Sequence, residues 1–426
     1  MLSHPVTNRD PGGTEMEFTD TAEEAAFRAE CREWLEANAE RRPRTSGVLS
    51  ILGEGLDGGG ELARARDWQA KAAAEGWAGI HWPPEYGGRG ASLIEQVIWA
   101  QEAARFEIPD HVFRIGIAMG GPTVIAHGSD DQKRRWLPPL LTGEEIWCQL
   151  FSEPGAGSDL ASLRTTAVRD GDAWVVDGQK VWSSGAHYSK WGMLVARTDM
   201  DAPKHSGITY FLLEMNSPGI DIRPLKQMTG ASHFSEVFFD DVRLPDTDRL
   251  GGVNEGWKVA QTTLLNERAA LGELLGGQAL ADGLVDVARR AGTDGRSGLS
   301  DPRVRQEIAE VYANSEILRY LGLRIVTAIS RGGIPGGEAS VIKIAMARLL
   351  NRAAGLGVRL GGPSGLAGPN EWWHTLLAAP AVRIAGGSDE IQRNIIGERV
   401  LGLPKEPGSD RDTPFNELPH SVGSLR

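Results

Sequence analysis

Residues with chemistry to offer concentrate between positions 149 and 198. Phe151 opens the run Phe151-Ser152-Glu153-Pro154-Gly155-Ala156-Gly157-Ser158-Asp159. Its glycines let a backbone approach a ligand closely, and its serines offer hydroxyls. Farther on, Trp182 is followed at once by Ser183, Ser184 and Gly185, a flat apolar face beside small hydroxyl donors. That pairing suits a planar heteroaromatic cofactor whose ring nitrogens take hydrogen bonds. The same residues also suit two surface strands joined by polar turns, and this stretch alone leaves both readings open.

The elements that must position these residues follow from periodicity. Trp174-Val175-Val176 and Lys180-Val181-Trp182 read as strands around an Asp177-Gly178 hairpin turn. Period-two runs at 193–197, 208–214 and 236–239 extend this into a small β domain. Upstream, Thr21 and Glu24 form a capping-box pattern ahead of Phe27, Cys31, Trp34 and Leu35 on one helical face. A second helix is predicted over 62–75, and a third after the Ser92/Glu95 box. Downstream, helices are predicted over 257–281, 301–330, 338–360 and 388–400. Helices, strands, then helices make an α+β chain rather than alternating βαβ units. The expected divisions are a disordered lead (1–16), a helical domain (17–145), a β domain (146–250), a helical bundle (251–404) and a mobile Pro/Ser/Asp-rich tail (405–426).

A chain of 426 residues has room for about three domains. Its 57 acidic against 45 basic residues, net −12, argue against broad binding to nucleic acid or anionic membranes. Cys31 and Cys148 are far apart with no CxxC, so buried free thiols are expected, with neither a disulfide framework nor a metal centre. The N-terminus lacks an apolar core of signal-peptide length, and no apolar run of about 18 residues occurs, so a cytoplasmic protein is expected. No GxGxxG follows a strand, and GxxxxGK[ST], HExxH and GxSxG are all absent. Rossmann nicotinamide binding, P-loop chemistry, zinc hydrolysis and α/β-hydrolase chemistry lose support.

The stretch 149–198, together with 76–105 and 121–144, resembles the acyl-CoA dehydrogenase family, most closely its bacterial branch, and the likeness covers roughly 17–403. The resemblance implies an N-terminal helical domain, a middle β domain and a C-terminal four-helix bundle. It implies FAD as cofactor and α,β-dehydrogenation of an acyl-CoA to a trans-2-enoyl-CoA, with an electron-transfer flavoprotein as acceptor. By that likeness Gln149, Leu150, Phe151 and Ser152 lie against the flavin, with the Ser152 hydroxyl on its pyrimidine edge. Ser158 touches the CoA part of the substrate, Trp182 packs on the isoalloxazine, and Ser184 reaches N5. Ser388 and Glu390 fall beside the ribityl and phosphate region. Alternatives are a same-fold oxidase or monooxygenase, or a subunit that lends structure to an active sibling.

Desaturation needs a carboxylate on one side of the Cα–Cβ bond and a hydride acceptor on the other, with the carboxylate in a water-poor pocket. Most family members place that Glu just before a Glu-Ile-Gln-Arg sequence, where this chain has Gly386. A minority carry it on the first helix after the β domain in a Glu-Arg pair, which Glu267-Arg268 matches. The resemblance therefore implies Glu267 as base and Arg268 as a substrate contact. Without it, Glu267 reads as a solvated helix charge paired one turn away. Asp389 stands where a Ser is usual and receives no role. The missing side chain at Gly386 opens space for branched, ring-bearing or bulky acyl groups.

The likeness fails where a neighbouring subunit usually supplies Arg-x-x-Phe-Gly to clasp the FAD diphosphate. Residues 288–306 keep Gly295 but have no Phe, and Val358 replaces a usual Gln ahead of Gly361-Gly362. Either Arg290 or Arg296 substitutes in a homotetramer, or a related subunit supplies the missing half in an α2β2 assembly.

Overall fold

The computed structural model describes residues 20–42, 59–273, 277–291, 297–330, 337–368, 370–405 and 412–418. The expected lead, 1–16, lies outside them. The chain begins with α1 (Ala22–Asn38), β1 (Glu40–Arg41), α2 (Gly59–Ala74), α3 (Leu93–Ala103) and β2 (Phe106–Glu107). A π-helical turn over Ile115–Gly120 then runs into α4 (Gly121–His127) and α5 (Asp130–Leu141). Both predicted capping boxes form, and Ser129 with Gln132 makes a third at α5. Trp34, Trp68, Trp77 and Trp99 nest together, the last two stacked with centroids 4.8 Å apart. The carboxylate of Glu102, fully buried, is answered by Arg28, Arg32 and Arg105, joining α1 to α3. Three cations on one desolvated acid are what its burial requires.

The β domain contains β3 (Trp147–Leu150), β4 (Thr166–Asp170), β5 (Ala173–Ser184), β6 (Trp191–Arg197), β7 (Ile208–Glu214), β8 (Ile220–Leu225), β9 (Phe234–Pro245) and β10 (Arg249–Leu250). Among the described residues they form one sheet, ordered β10-β7-β6-β4-β5-β9-β8, with β3 laid parallel on β6. The predicted hairpin turn at Asp177-Gly178 is not a turn, because both residues lie inside β5. The chain reverses one Asp-Gly earlier, where Asp170 pairs with Ala173 around Gly171, whose φ is +67°. Gly178 is needed for a different reason: a Cβ there would sit 2.7 Å from the Thr165 backbone.

The remaining helices are α6 (Gly256–Glu273), α7 (Gly277–Arg290), α8 (Pro302–Ser330), α9 (Glu338–Leu360), α10 (Gly362–Leu366), α11 (Glu371–Val382) and α12 (Asp389–Ile395). The run predicted over 257–281 is covered by α6 and the start of α7, with 274–276 outside the described residues, and α11 was not predicted. Helices α7, α8, α9 and α11 pack around Leu284, Val311, Leu350 and Trp372. With a helical part on either side of the sheet, the architecture is α+β. The tail departs from expectation, because residues 412–418 dock on the β domain. There Phe415 is 2% exposed, and Pro414 bridges to Pro203.

Candidate functional site

The site starts at an irregularity in β5. Its register against β9 slips between Lys180 and Ser183, so the Val181-Trp182 segment bulges. The bulge turns Trp182 outward at φ +61°, leaving this large ring 60% exposed with the Phe234 ring edge-on at 5.9 Å. Bulges commonly re-aim a side chain in this way. Next to it, the Val181 N–H donates to the Ser152 carbonyl at 2.9 Å, so the end of β3 and the bulge are stitched together. Ser152 and Ser184 are both half-buried, as is Gln149. Leu150 and Phe151 are buried, at 0% and 4% exposure.

Beneath the stitch lies a buried ion pair that sequence reasoning missed. Lys180, with no exposed surface, donates to Glu153 at 2.8 Å and to the Phe151 carbonyl at 3.0 Å. Glu153 also accepts from the Arg164 and Thr165 amides at 2.6 and 2.9 Å. Burial pushes the Glu153 carboxyl up, but the Lys180 ammonium and these donors outweigh it and leave it below the ordinary range. One acid therefore fastens both ends of the Ser152–Thr165 loop. Parity was the available clue: Lys180 shares the inward face of β5 with Trp174 and Val176, and a buried lysine demands a carboxylate.

The loop connects to α6 through aromatic and hydroxyl contacts. The Phe151 ring meets Tyr210 edge-on at 5.9 Å, and the Tyr210 hydroxyl lies 3.2 Å from that of Thr263, which reaches Thr123 at 2.9 Å. Glu267 follows Thr263 by one helical turn and so shares its face. That face packs on the π-helical turn, α4 and β7. Glu267 is half-buried with its Oε2 shielded from solvent. It is not a solvated surface charge. Thus the Phe151 loop, beside the Val181-Trp182 bulge, is linked through Tyr210 to Thr263, one helical turn before Glu267 on α6. The side chain of Arg268 lies outside the described residues.

Gly386 and Gly387 form a left-handed loop, with φ +64° and +91°. Lys343 of α9 donates to the Gly387 carbonyl at 2.7 Å, and Gln392 donates to the Gly386 carbonyl at 2.8 Å. Asp389, without a role in the sequence, is buried and bonded to Arg383 at 2.8 Å, with Lys343 4.0 Å away. It anchors this loop. Ser388 caps α12, accepting from the Ile391 amide, while Glu390 is exposed and paired with Arg393 at 3.2 Å. Both pairings are local to α12. Ser158 is exposed beside Asp159, which Lys204 holds at 3.1 Å. Of the two regions where the diphosphate motif is eroded, the first has Arg290 exposed at the end of α7, with Gly295 and Arg296 outside the described residues, and the second has Val358 buried in α9.

Three family models match: the acyl-CoA dehydrogenase N-terminal domain over 21–144, its middle domain over 148–242 and its C-terminal domain over 254–401. Acyl-CoA dehydrogenase IpdE1 of Mycobacterium tuberculosis (strain ATCC 25618 / H37Rv) is 40% identical over 390 residues, covering 89% of this chain and 98% of that protein. Among solved structures, the Tcur3481-Tcur3483 steroid ACAD aligns with a TM-score of 0.78 at 29% identity, covering 92% of this chain and all (100%) of its own. The ChsE4-ChsE5 complex from M. tuberculosis aligns at 0.75 and 29%, with coverage of 92% and 100%. With its helical, β and helical parts each matched in order, the chain belongs to the acyl-CoA dehydrogenase family.

Proposed function

We propose that this chain removes hydrogen from Cα and Cβ of an acyl-CoA thioester, giving the trans-2-enoyl-CoA, with Glu267 as the base. The observation that carries this is the contact path from Phe151 through Tyr210 and Thr263 to the helical face bearing Glu267. Glu267 takes the α-proton on a carboxylate that water does not flood. FAD, when bound, supplies the acceptor for the hydride leaving Cβ. The residues present fit that cofactor. An exposed tryptophan held at positive φ costs about 1–3 kcal/mol and is retained where a ligand uses it. Trp182 would offer a ring face, Ser152 and Ser184, both half-buried, would offer hydroxyls, and the 149–151 segment would lie against the flavin. Ser388 and Glu390 serve the ribityl and phosphate region, Ser158 the CoA moiety, and Arg268 the substrate.

A glycine at 386 leaves the acyl side open, and the structurally similar Tcur3481-Tcur3483 protein is a steroid ACAD. Both support ring-bearing or branched acyl groups as substrates. An electron-transfer flavoprotein is the proposed electron acceptor. The cofactor site is completed across a subunit interface, in a homotetramer or in an α2β2 assembly with a related chain. The absence of Phe from 288–306 favours an outside contribution.

The test is anaerobic addition of an acyl-CoA panel, linear and ring-bearing, to the yellow protein and to Glu267→Gln. The native protein is expected to bleach, fastest with bulky thioesters. The variant should bind FAD normally and stay yellow. Near-normal bleaching in Glu267→Gln moves the base elsewhere, and a clear preference for linear chains removes the bulky-substrate reading.

A further inference from the structure

The docked tail segment meets the β domain at a buried cation. Arg197, 1% exposed, lies at the end of β6, and burial pushes its guanidinium down to about 10. It donates to the Lys204 carbonyl at 2.8 Å and to the Ala161 carbonyl at 2.5 Å, while its Nε finds no hydrogen-bond partner among the described residues. The Phe415 ring covers it, centroid 3.8 Å from the guanidinium carbon, with Arg164 on the same ring at 5.1 Å. An aromatic face is attractive to a desolvated cation. The tail is fixed there by backbone bonds from Phe415 to Ala202 and from Asn416 to Met200, both at 3.0 Å, and by Asn416 Nδ2 donating to Asp201 at 2.7 Å.

These contacts converge on the loop carrying Ser158. Arg197 holds Ala161 on one side of that loop. On the other, Arg197 holds the carbonyl of Lys204, whose ammonium grips Asp159, the residue after Ser158. Asp159 in turn accepts from the Ser162 hydroxyl at 2.5 Å. Glu153 fastens the two ends of the loop from within the sheet, so the segment around Ser158 is steadied chiefly by this outer set.

We propose that residues 412–418 are a positioning strap for the Ser158 loop, with Phe415 acting through Arg197 and Lys204 to set affinity for the CoA moiety of the substrate. The proposal rests on Ser158 contacting CoA, and the chemistry at Glu267 is untouched by it.

The test compares native protein, Phe415→Ala, Phe415→Tyr and Ser158→Ala on an acyl-CoA and on the matching N-acetylcysteamine thioester, which lacks most of the CoA. Phe415→Ala is expected to raise KM for the acyl-CoA roughly tenfold with kcat held within about twofold, leaving kcat/KM for the truncated thioester unchanged. Phe415→Tyr, which keeps the ring face, is expected to restore KM. An equal loss on both thioesters, a fall in kcat alone, or no change in either overturns the strap. Should Phe415→Ala fail to fold, Phe415→Leu keeps the buried volume without the ring face and takes the same readouts. A Ser158→Ala variant with native KM for the acyl-CoA would instead strike at the CoA contact itself.

Discussion

At Trp182 the backbone sits where a β-carbon crowds the following carbonyl, and glycine would rest there at lower cost. With the ring mostly exposed, little burial offsets that cost. Trp182→Gly is therefore expected to leave the apoprotein as stable as the native one, or more stable by about 1 kcal/mol, while weakening FAD binding markedly. Thermal unfolding of apoprotein and titration with FAD read the two effects separately. A variant that unfolds early and binds FAD normally would make Trp182 a packing residue. The chemistry-bearing types at 152, 182 and 184 could be recognised in the chain, but their arrangement could not. It depends on a bulge that places two residues of β5 against one of β9, and nothing local in Val181-Trp182 announces it.

Among the elements, β5 is the one the site cannot lose, and the Lys180–Glu153 pair sets its relation to the loop. Lys180→Met leaves a buried carboxylate with amide donors but no cation, at a cost of roughly 3–5 kcal/mol. Adding Glu153→Gln removes the stranded charge yet keeps an oxygen for the Arg164 and Thr165 amides, so the double variant should recover part of the loss. Urea unfolding of both variants checks this, and strict additivity would deny the coupling. Element types were largely legible: three of the predicted helices begin or end within a residue of α8, α9 and β-flanking α6, because their apolar stripes are long and regular. The chain offers Asp-Gly twice in one hairpin region, and only the sheet register decides which turns. Helix α11 hid because Trp372, Trp373 and Pro380 resemble a broken apolar run, whereas its Asn370 cap and contact with α9 hold it helical. The docking of 412–418 depends on a buried arginine far away in sequence, which no local pattern could reveal.

For the molecule as a whole, acid sensitivity has an identifiable contributor. Burial pushes His81 down from 6.5 to about 4, only partly opposed by a hydrogen bond to the Ile117 backbone. The unfolded chain binds this proton below 6.5 and the folded chain does not, so stability is full above that value and falls as pH drops towards 4. The loss amounts to about 2–3 kcal/mol across that window. His81→Gln should flatten this part of the acid limb in Tm-against-pH curves, and an unchanged limb would assign the loss to other groups. The helical parts and the sheet also share more than a boundary. Tyr210 meets the Phe151 ring edge-on on one side and shares a hydrogen bond with the Thr263 hydroxyl on the other, so the loop and α6 meet at this residue. If the proposed function holds, a thioester that orders α6 is expected to order the Phe151 loop as well, through that one residue.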